Sequence, residues 1–377
     1  MYNGKKFFGG KTLERYEHGA SVTLDPVSAP NCYQSSNIIA ALKRYEHGGQ
    51  VYDAAGNLGD WLDFSANINP LGLSEKILRT LTENLRGLVN YPDPNASELK
   101  RAISRHYDVP EKNLVVLNGA AEFFYLYLNV TRPKRVVIPV PSFSEYERAA
   151  RAAYCDVEYF IMDAEKNFSL DMEKPRADCV ILARPNNPTG NLISAEKILR
   201  LAEVSSVVVD ESFIDFLDAE SIRKFVSEKI SVVQSLTKIF AIPGLRLGFA
   251  VVEENLARRL NLSKDVWNVN FLAQKAGAAA LSDEDFLRRT RAWLEVERKF
   301  FVDRLTNLRG VKVFPPTANF VLFRHEHAEK ILAELRREKI LLRSCANFAG
   351  LDKNYLRSAI RSREENLRLF NVLEKIL

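Results

Sequence analysis

Lys238 ends the run Ser235-Leu-Thr-Lys238, downstream of Asp210 and eight residues before Arg246. A lysine amine forms covalent Schiff bases with carbonyl groups, and a nearby carboxylate keeps a ring nitrogen protonated. Hydroxyl and guanidinium groups bind phosphate through charge-assisted hydrogen bonds. Together these groups predict a site for pyridoxal phosphate (PLP), with Lys238 and Asp210 as catalytic residues and Ser235, Thr237 and Arg246 around its phosphate.

Two short β-branched runs are expected to position these groups. Ser206-Val-Val-Val-Asp210 and Ser231-Val-Val-Gln-Ser235 are typical of buried parallel strands. Ligands of open α/β sheets bind at the carboxyl ends of such strands. We therefore expect Asp210, Ser235 and Lys238 to meet at one edge of a sheet.

A third run, Cys179-Val-Ile-Leu-Ala183, leads into the turn Arg184-Pro-Asn-Asn-Pro-Thr-Gly190. Two prolines restrict φ in this turn, and the glycine permits a tight reversal. The turn can hold Asn187 rigidly against the phenolic oxygen of the cofactor.

The turn Asn118-Gly-Ala-Ala121 precedes a predicted helix over residues 122–130. Free backbone N–H groups at a helix N-terminus bind anions. Gly119, Ala120 and Ala121 are therefore predicted to bind the cofactor phosphate, with Ser235, Thr237 and Arg246 completing the cup.

Helix-like and strand-like patterns alternate over residues 75–275, with strand candidates at 114–118, 135–139 and 179–183. The strongest helix candidate spans residues 283–308 and carries a single apolar stripe. The fold class predicted is α/β: a large domain with a mostly parallel central sheet and a smaller α/β domain from both chain ends. The expected divisions are an extension at 1–38, small-domain segments at 39–74 and 276–377, and a large PLP-binding domain at 75–275.

The formal charge of +5 comes from 53 basic and 48 acidic residues spread along the chain, without the basic block that would indicate a nucleic-acid partner. No apolar run approaches 18 residues, so neither a membrane span nor a secretion signal is expected. The four cysteines lack CxxC spacing, which favours reduced thiols in a cytoplasmic protein. His325 and His327 are interpreted as surface residues, and no metal is assigned.

The chain resembles the fold-type I PLP enzymes of the class I/II aminotransferase family over about residues 45–377. The motif residues that match are Asn187, Asp210, Ser235, Lys238 and Arg246. Further segments look like the threonine-phosphate decarboxylases of cobalamin biosynthesis, with histidinol-phosphate aminotransferases as near relatives. These segments are His47-Gly-Gly49, Asp63–Gly72, Tyr91-Pro-Asp93, Asn118–Glu122 and Arg343–Leu351.

The resemblance implies roles for side chains far from Lys238. Phe143 would stack on the pyridine ring, and Tyr91 would reach the phosphate in a neighbouring subunit, which implies a homodimer with shared sites. Arg343 would hold the substrate phosphate and Arg357 the carboxyl side of the substrate. Either anion suits either guanidinium, so spacing alone leaves this assignment open. The remaining substrate-binding residues implied are His47, Asn67 and Asn187.

One departure from the family pattern concerns the third residue after Asp210. Typical aminotransferases carry a tyrosine there, whereas this chain has Phe213, as the decarboxylase-like relatives do. This favours decarboxylation of O-phosphothreonine, or of O-phosphoserine, with a phosphorylated amino acid as the partner and neither nucleic acid nor membrane involved. An aminotransferase acting on histidinol phosphate and a non-enzymatic binding protein are the alternatives.

The sequence Arg-Tyr-Glu-His-Gly occurs twice, at residues 15–19 and 44–48. Only the second copy is followed by the Ser65–Pro70 motif at the distance that the family resemblance implies. We therefore assign the predicted substrate-binding role to His47 of that copy. Residues 1–38 are interpreted as an extension beyond the usual start of the family, and chance, a duplicated start and an added lid remain open explanations of the repeat.

Overall fold

A computed structural model describes residues 47–377 of the chain. Its strands are β1 Leu62–Asp63, β2 Leu114–Leu117, β3 Arg135–Val140, β4 Asp156–Ile161, β5 Cys179–Ala183, β6 Ser206–Asp210, β7 Ile230–Ser235, β8 Gly248–Val251, β9 Lys312–Val313, β10 Phe320–Arg324, β11 Ile340–Leu341, β12 Arg343–Ser344 and β13 Tyr355–Ala359. Its α-helices are α1 Glu75–Asn84, α2 Ser97–Tyr107, α3 Ala121–Thr131, α4 Glu145–Ala152, α5 Ala195–Ala202, α6 Glu254–Ser263, α7 Phe271–Leu281, α8 Glu284–Thr306, α9 Ala328–Arg337 and α10 Arg363–Ile376. Short 3₁₀ turns span Leu85–Val89, Glu111–Asn113, Ala164–Lys166, Ile214–Phe216, Ile222–Phe225 and Pro243–Leu245.

The central sheet has seven strands in the order β2-β8-β7-β6-β5-β3-β4. The strands from β7 to β4 pair in parallel, and β8 is antiparallel to both of its neighbours. The mostly parallel sheet and the predicted strands within it are therefore confirmed. Because β5, β6 and β7 are adjacent and parallel, their carboxyl ends lie at the same edge.

Both faces of this sheet are buried. In β6, Val208 belongs to the core formed with α3, α4 and α6, whereas Val207 and Val209 belong to the core on the other face, which includes residues of α5. Successive side chains of a strand point to opposite faces. This explains why β6 has three consecutive valines, because a parallel strand covered on both faces has no solvent-facing positions.

Residues near the two ends of the described chain form smaller sheets. An antiparallel sheet has the order β12-β13-β10-β9, and β1 pairs in parallel with β11. Segments before and after the central sheet thus combine, as the predicted fold class requires. The exact domain boundaries stay predictions.

The long helix α8 begins one residue after the predicted start and ends two residues before the predicted end. Asp283 caps it by accepting a hydrogen bond from the backbone N–H of Phe286. Its buried apolar residues Phe286, Leu287, Leu294, Phe301 and Leu305 lie in one core cluster, so the stripe is packing surface.

One interpretation of the sequence was wrong. His325 is 5% exposed rather than a surface residue, and its Nδ1 accepts a hydrogen bond from the backbone N–H of His327 at 3.0 Å. The residue follows β10, and its backbone N–H donates to the carbonyl of Asn354, while Glu326 and His327 after it are exposed. Among the described residues, no group of three or more metal-binding side chains forms.

The predictions for residues 1–38, for the first Arg-Tyr-Glu-His-Gly copy and for Cys32 lie outside the described residues. Cys155, Cys179 and Cys345 are buried free thiols. Within residues 47–377, no helix is both long and apolar enough to cross a membrane.

Candidate active site

Three adjacent strands deliver the predicted catalytic groups to one edge of the central sheet. Ala183 at the end of β5 pairs with Asp210 at the end of β6, and Asp210 pairs with Val233 of β7. The turn carrying Asn187 follows β5, and Lys238 follows β7 by three residues. The expected meeting of these residues is therefore observed.

A cavity of about 290 Å³ lies at this edge. Predicted cofactor residues that line it are Gly119, Ala120, Ala121, Phe143, Asn187, Asp210, Ser235, Thr237, Lys238 and Arg246. Predicted substrate residues that line it are His47, Asn67, Asn187, Arg343 and Arg357. Residues separated by more than 300 positions thus share one cavity, while their individual roles remain predictions.

Lys238 presents its amine among polar groups. Its Nζ donates to the Ser235 hydroxyl at 3.0 Å, and the hydroxyl oxygens of Ser235 and Thr237 are 2.7 Å apart. Burial lowers the pKa of Lys238 to about 8; Asp210 opposes this shift and Arg246 adds to it. A larger share of the amine is therefore neutral near pH 8 than for an ordinary lysine, and a neutral amine is the nucleophilic form.

Asp210 is held in place from two directions. The Tyr146 hydroxyl donates to its Oδ2 at 2.7 Å, and the backbone N–H of Ser212 donates to Oδ1 at 2.9 Å. Burial raises the pKa of Tyr146 well above its usual value, and the Asp210 charge adds to the shift, so the phenol stays a donor. A fixed acid at the end of β6 suits the ring nitrogen of the cofactor.

In the predicted phosphate site, the backbone of Gly119 lies close to the side chain of Arg246. Gly119 has a φ of +84°, and a Cβ at this position would lie 2.5 Å from a terminal nitrogen of Arg246. The positive φ favours glycine at this position, and a side chain here would displace the guanidinium. Helix α3 begins at Ala121, and no described side chain caps its N-terminus. The N–H groups of Glu122 and Phe123 donate to the carbonyls of Gly119 and Ala120, so those of Ala120 and Ala121 are the ones the turn offers to an anion near Arg246.

Two buried arginines enter the cavity from the antiparallel sheet. Arg343 of β12 and Arg357 of β13 are 8% and 6% exposed. Arg357 donates to the carbonyl of Ser65 at 2.6 Å and to the side-chain oxygen of Asn187, while Arg343 donates to Asn347 Oδ1 at 2.7 Å. Burial lowers the pKa of Arg357 to about 10, yet the group stays cationic at neutral pH. Two desolvated cations beside Lys238 suit an anionic ligand.

His47 and Phe143 also line the cavity. Their ring centroids are 5.4 Å apart, and His47 Nε2 lies 2.9 Å from Glu145 Oε1. Asn67 lies nearby, 6% exposed, and its Oδ1 is buried without a hydrogen-bond partner in the described part of the chain. An unpartnered buried acceptor that lines a cavity is suited to a donor on a ligand.

Tyr91 does not reach this cavity. It is 75% exposed and stacks on Trp267 with ring centroids 4.2 Å apart. Its predicted role in a neighbouring subunit requires such outward exposure, and stays a prediction.

Sequence reasoning missed several residues that line or support the cavity, including Tyr146, Glu145 and Phe348. Tyr146 follows Phe143 by three residues across the start of α4, and this helical spacing is a signal that could have placed both at one site. The centroid of the Phe348 ring lies 5.2 Å from the guanidinium carbon of Arg343. Phe348 belongs to the Arg343–Leu351 segment on which the family resemblance partly rests.

A larger and more open groove of about 1050 Å³ lies elsewhere, against α8 and Phe216. It contains none of the residues predicted to bind cofactor or substrate. Arg291 and Arg298 in this groove donate to the carbonyls of Asp215 and Thr317, so the fold already uses them.

The residues present fit PLP. The Gly119–Arg246 cradle and the α3 N-terminus fit its phosphate, Asp210 fits its ring nitrogen, and the Lys238 amine fits its aldehyde.

Comparison with known proteins agrees with this geometry. The family model for aminotransferase class I and II matches residues 59–373. The chain is 36% identical over 358 residues to a threonine-phosphate decarboxylase of Salmonella typhimurium, covering 89% of this chain and 98% of that protein. It is 33% identical to a histidinol-phosphate aminotransferase of Desulfitobacterium hafniense, covering 90% and 96%.

The fold is also similar to a solved structure. The crystal structure of L-threonine-O-3-phosphate decarboxylase from Porphyromonas gingivalis matches with a TM-score of 0.76 and 28% identity, covering 84% of this chain and 99% of that one. The chain therefore belongs to the aminotransferase class I and II family, and it is a PLP-dependent enzyme of fold type I.

Proposed function

We propose that this enzyme decarboxylates L-threonine O-3-phosphate to (R)-1-aminopropan-2-yl phosphate and CO₂. The observation that carries the proposal is the pair of buried guanidinium groups, Arg343 and Arg357, in the same cavity as Lys238. The proposed substrate has two anionic groups, a carboxylate and a phosphate, and arginine binds either one in a forked geometry.

Similarity supports the same substrate class. Relatives named threonine-phosphate decarboxylase match at 36% and 34% identity over most of the chain. Phe213 is the residue that the resemblance predicts for a decarboxylase. A histidinol-phosphate aminotransferase activity is the alternative, supported by relatives at 33% identity. Both alternatives have a phosphorylated amine as substrate.

The chemistry depends on which bond at the substrate Cα is broken. PLP, when bound, would supply an electron sink for the pair released by bond cleavage at Cα. Arg357, fixed by Ser65 and Asn187, holds the carboxyl side of the substrate, and Arg343 holds its phosphate. With both ends held, the substrate would be fixed in an orientation that favours cleavage of the bond between Cα and the carboxylate.

The remaining steps are assigned to Lys238 and Asp210. Lys238 would hold PLP through its amine in the absence of substrate, and this amine would be available within the cavity while the substrate is bound. The bond between Cα and the carboxylate breaks, CO₂ leaves, and a proton from the Lys238 ammonium is delivered to Cα. A pKa of about 8 lets this amine exchange protons near neutral pH. Asp210, fixed by the hydrogen bond from Tyr146, would be the partner of the ring nitrogen.

The test is CO₂ release by purified protein with PLP, using O-phosphothreonine and O-phosphoserine in the absence of any keto acid. A parallel assay supplies histidinol phosphate and 2-oxoglutarate. Release from O-phosphothreonine supports the proposal, and transamination without release supports the alternative. The two phosphoamino acids differ by one methyl group, which can contribute about 1 to 3 kcal/mol to discrimination. We therefore expect their kcat/KM values to differ by roughly 10- to 100-fold.

Tyr91 is proposed to serve the cavity of a second copy of the chain in a homodimer. Its exposure and its stack on Trp267 place the ring outward, where another subunit can be contacted. Mixing inactive Lys238→Ala and Tyr91→Ala subunits tests this, because a mixed dimer would contain one cavity with both residues intact. Recovered activity supports shared sites, and its absence from verified mixed dimers contradicts them.

A further inference from the structure

The His47 ring forms a hydrogen bond with the buried carboxylate of Glu145, 98 positions later in the chain. His47 Nε2 and Glu145 Oε1 are 2.9 Å apart, with the His47 side chain 42% exposed and that of Glu145 9% exposed. Glu145 is the first residue of α4, two positions after Phe143. Helix α4 therefore anchors a side chain that belongs to a different part of the cavity wall.

The Glu145 carboxylate is itself held. The Tyr125 hydroxyl donates to Oε2 at 2.8 Å, and Arg148 approaches Oε1 at 3.4 Å. Burial raises the pKa of Glu145, but hydrogen bonds from His47 and Tyr125, together with the charge of Arg148, outweigh it and lower the pKa below its usual value. The group is an ionised acceptor, fixed in orientation before any ligand binds.

The backbone next to His47 is fixed from the other side. The Gly49 N–H donates to the Ser65 hydroxyl oxygen at 2.7 Å, and that hydroxyl donates to Asp63 at 2.6 Å. A Cβ on Gly48 would lie 2.2 Å from the Ser65 carbonyl oxygen, the same carbonyl that accepts from Arg357. His47 is thus held through its backbone by the Ser65 segment and through its ring by α4.

We propose that Glu145 is a positioning residue for the substrate phosphate, acting by holding His47 through Nε2 so that Nδ1 is left for the ligand. This inference rests on the proposed function for the identity of the ligand. Within residues 47–377, the hydrogen bonds of the ring occupy Nε2 and leave Nδ1 without a partner. Which imidazole nitrogen serves a ligand is set by the bond that the other nitrogen makes. A ring protonated at both nitrogens bridges the carboxylate and a phosphate.

The kinetic test compares Glu145→Ala and Glu145→Gln with Glu147→Gln as the matched control. Glu147 lies on the same helix, is equally buried, pairs with Arg151 and is absent from the cavity lining. We expect Glu145→Ala to raise KM for the phosphorylated substrate about tenfold with kcat within about twofold, as for loss of one charged hydrogen bond. Glu145→Gln keeps an acceptor oxygen and should recover most of the loss. A fall in kcat at unchanged KM would overturn the inference.

A double-mutant cycle tests whether Glu145 acts through His47. In a His47→Ala background, Glu145→Ala should change KM by less than about twofold, since the ring it positions is gone. An undiminished tenfold effect in that background would show that Glu145 acts by another route.

An experiment independent of turnover separates this inference from the proposed reaction. With ¹⁵N-labelled histidine in the PLP-loaded protein, inorganic phosphate should shift the Nδ1 signal of His47, identified by its absence in His47→Ala. The shift should be lost in Glu145→Ala and kept in Glu147→Gln. If the wild type shows this shift but releases no CO₂, the proposed reaction fails and the positioning role stands. If the wild type shows no shift, or Glu145→Ala keeps it, the positioning role is wrong.

Discussion

Arg343 and Arg357 are directly opposite each other on the antiparallel strands β12 and β13. Side chains paired in this way project from the same face of a sheet, and like charges in such pairs repel. Burial lowers the pKa of Arg357, and Arg343 adds to that shift. The two cations are therefore expected to bind anions strongly, since an anion relieves their repulsion.

The two arginines should be separable by substrate analogues. We expect Arg343→Ala to remove the preference for O-phosphothreonine over threonine as a ligand, because Arg343 is the residue proposed to hold the phosphate. Arg357→Ala should weaken the binding of both ligands by about 10- to 100-fold, as expected for the loss of a charged hydrogen bond. Inhibition constants of both ligands measure this, with Arg324→Ala on the adjacent strand as control, since Arg324 is exposed and outside the cavity. The reverse pattern would exchange the two assignments.

Replacing Lys238 by alanine should abolish both turnover and the visible absorbance band of the bound cofactor, because the covalent attachment point is lost. The matched control is Lys229→Ala, an exposed lysine next to the start of β7. Spectra after PLP addition and CO₂ release measure the outcome. Decarboxylation retained by Lys238→Ala would contradict the assignment of this lysine.

The reactivity of Lys238 should rise with pH around a midpoint near 8 in cofactor-free protein. Burial lowers its pKa to about 8, so the neutral amine predominates above that pH and is lost below it. An ordinary lysine would show a midpoint near 10.4. The rate of PLP incorporation against pH measures the midpoint. Asp210→Asn removes the charge that raises the pKa, so its midpoint should move to lower pH, and a move to higher pH would contradict the electrostatic account.

Phe213, the departure from the family pattern expected from the resemblance, lines the cavity and packs edge-on against Phe320 with ring centroids 5.0 Å apart. Phe213→Tyr adds a hydroxyl that can donate to the phenolic oxygen of the cofactor. Stabilising the anionic oxygen should lower the pH at which the visible band changes. Phe213→Leu, which adds no hydroxyl, is the control and should not show this downward shift. A pH titration of the absorbance spectrum measures both, and an unchanged titration of Phe213→Tyr would show that the hydroxyl does not reach the cofactor.

Much of the site was predictable because its groups follow strand ends. Asp210, Ser235 and Lys238 each come at or just after a β-branched run, and adjacent parallel strands bring such positions together. The turn before α3 was predictable for a similar local reason, since a glycine-containing turn followed by a helix offers N–H groups to an anion.

Contacts between distant segments were not predictable from local patterns. The Tyr146–Asp210 and His47–Glu145 hydrogen bonds join residues 64 and 98 positions apart. The pairing of Arg343 with Arg357 depends on strand register, which the fourteen-residue spacing does not determine. His325 was misjudged because its burial comes from tertiary contacts, among them the approach of Gly310 to its ring.

The most direct test of the account follows the carboxyl carbon itself. O-Phosphothreonine labelled with ¹³C at the carboxyl group is incubated with PLP-loaded protein in D₂O without a keto acid. The account predicts labelled bicarbonate and an unlabelled aminopropanol phosphate carrying one deuteron on the carbon that lost the carboxylate. Label retained in a keto acid, with the cofactor left in its amine form, would contradict the decarboxylase and identify an aminotransferase.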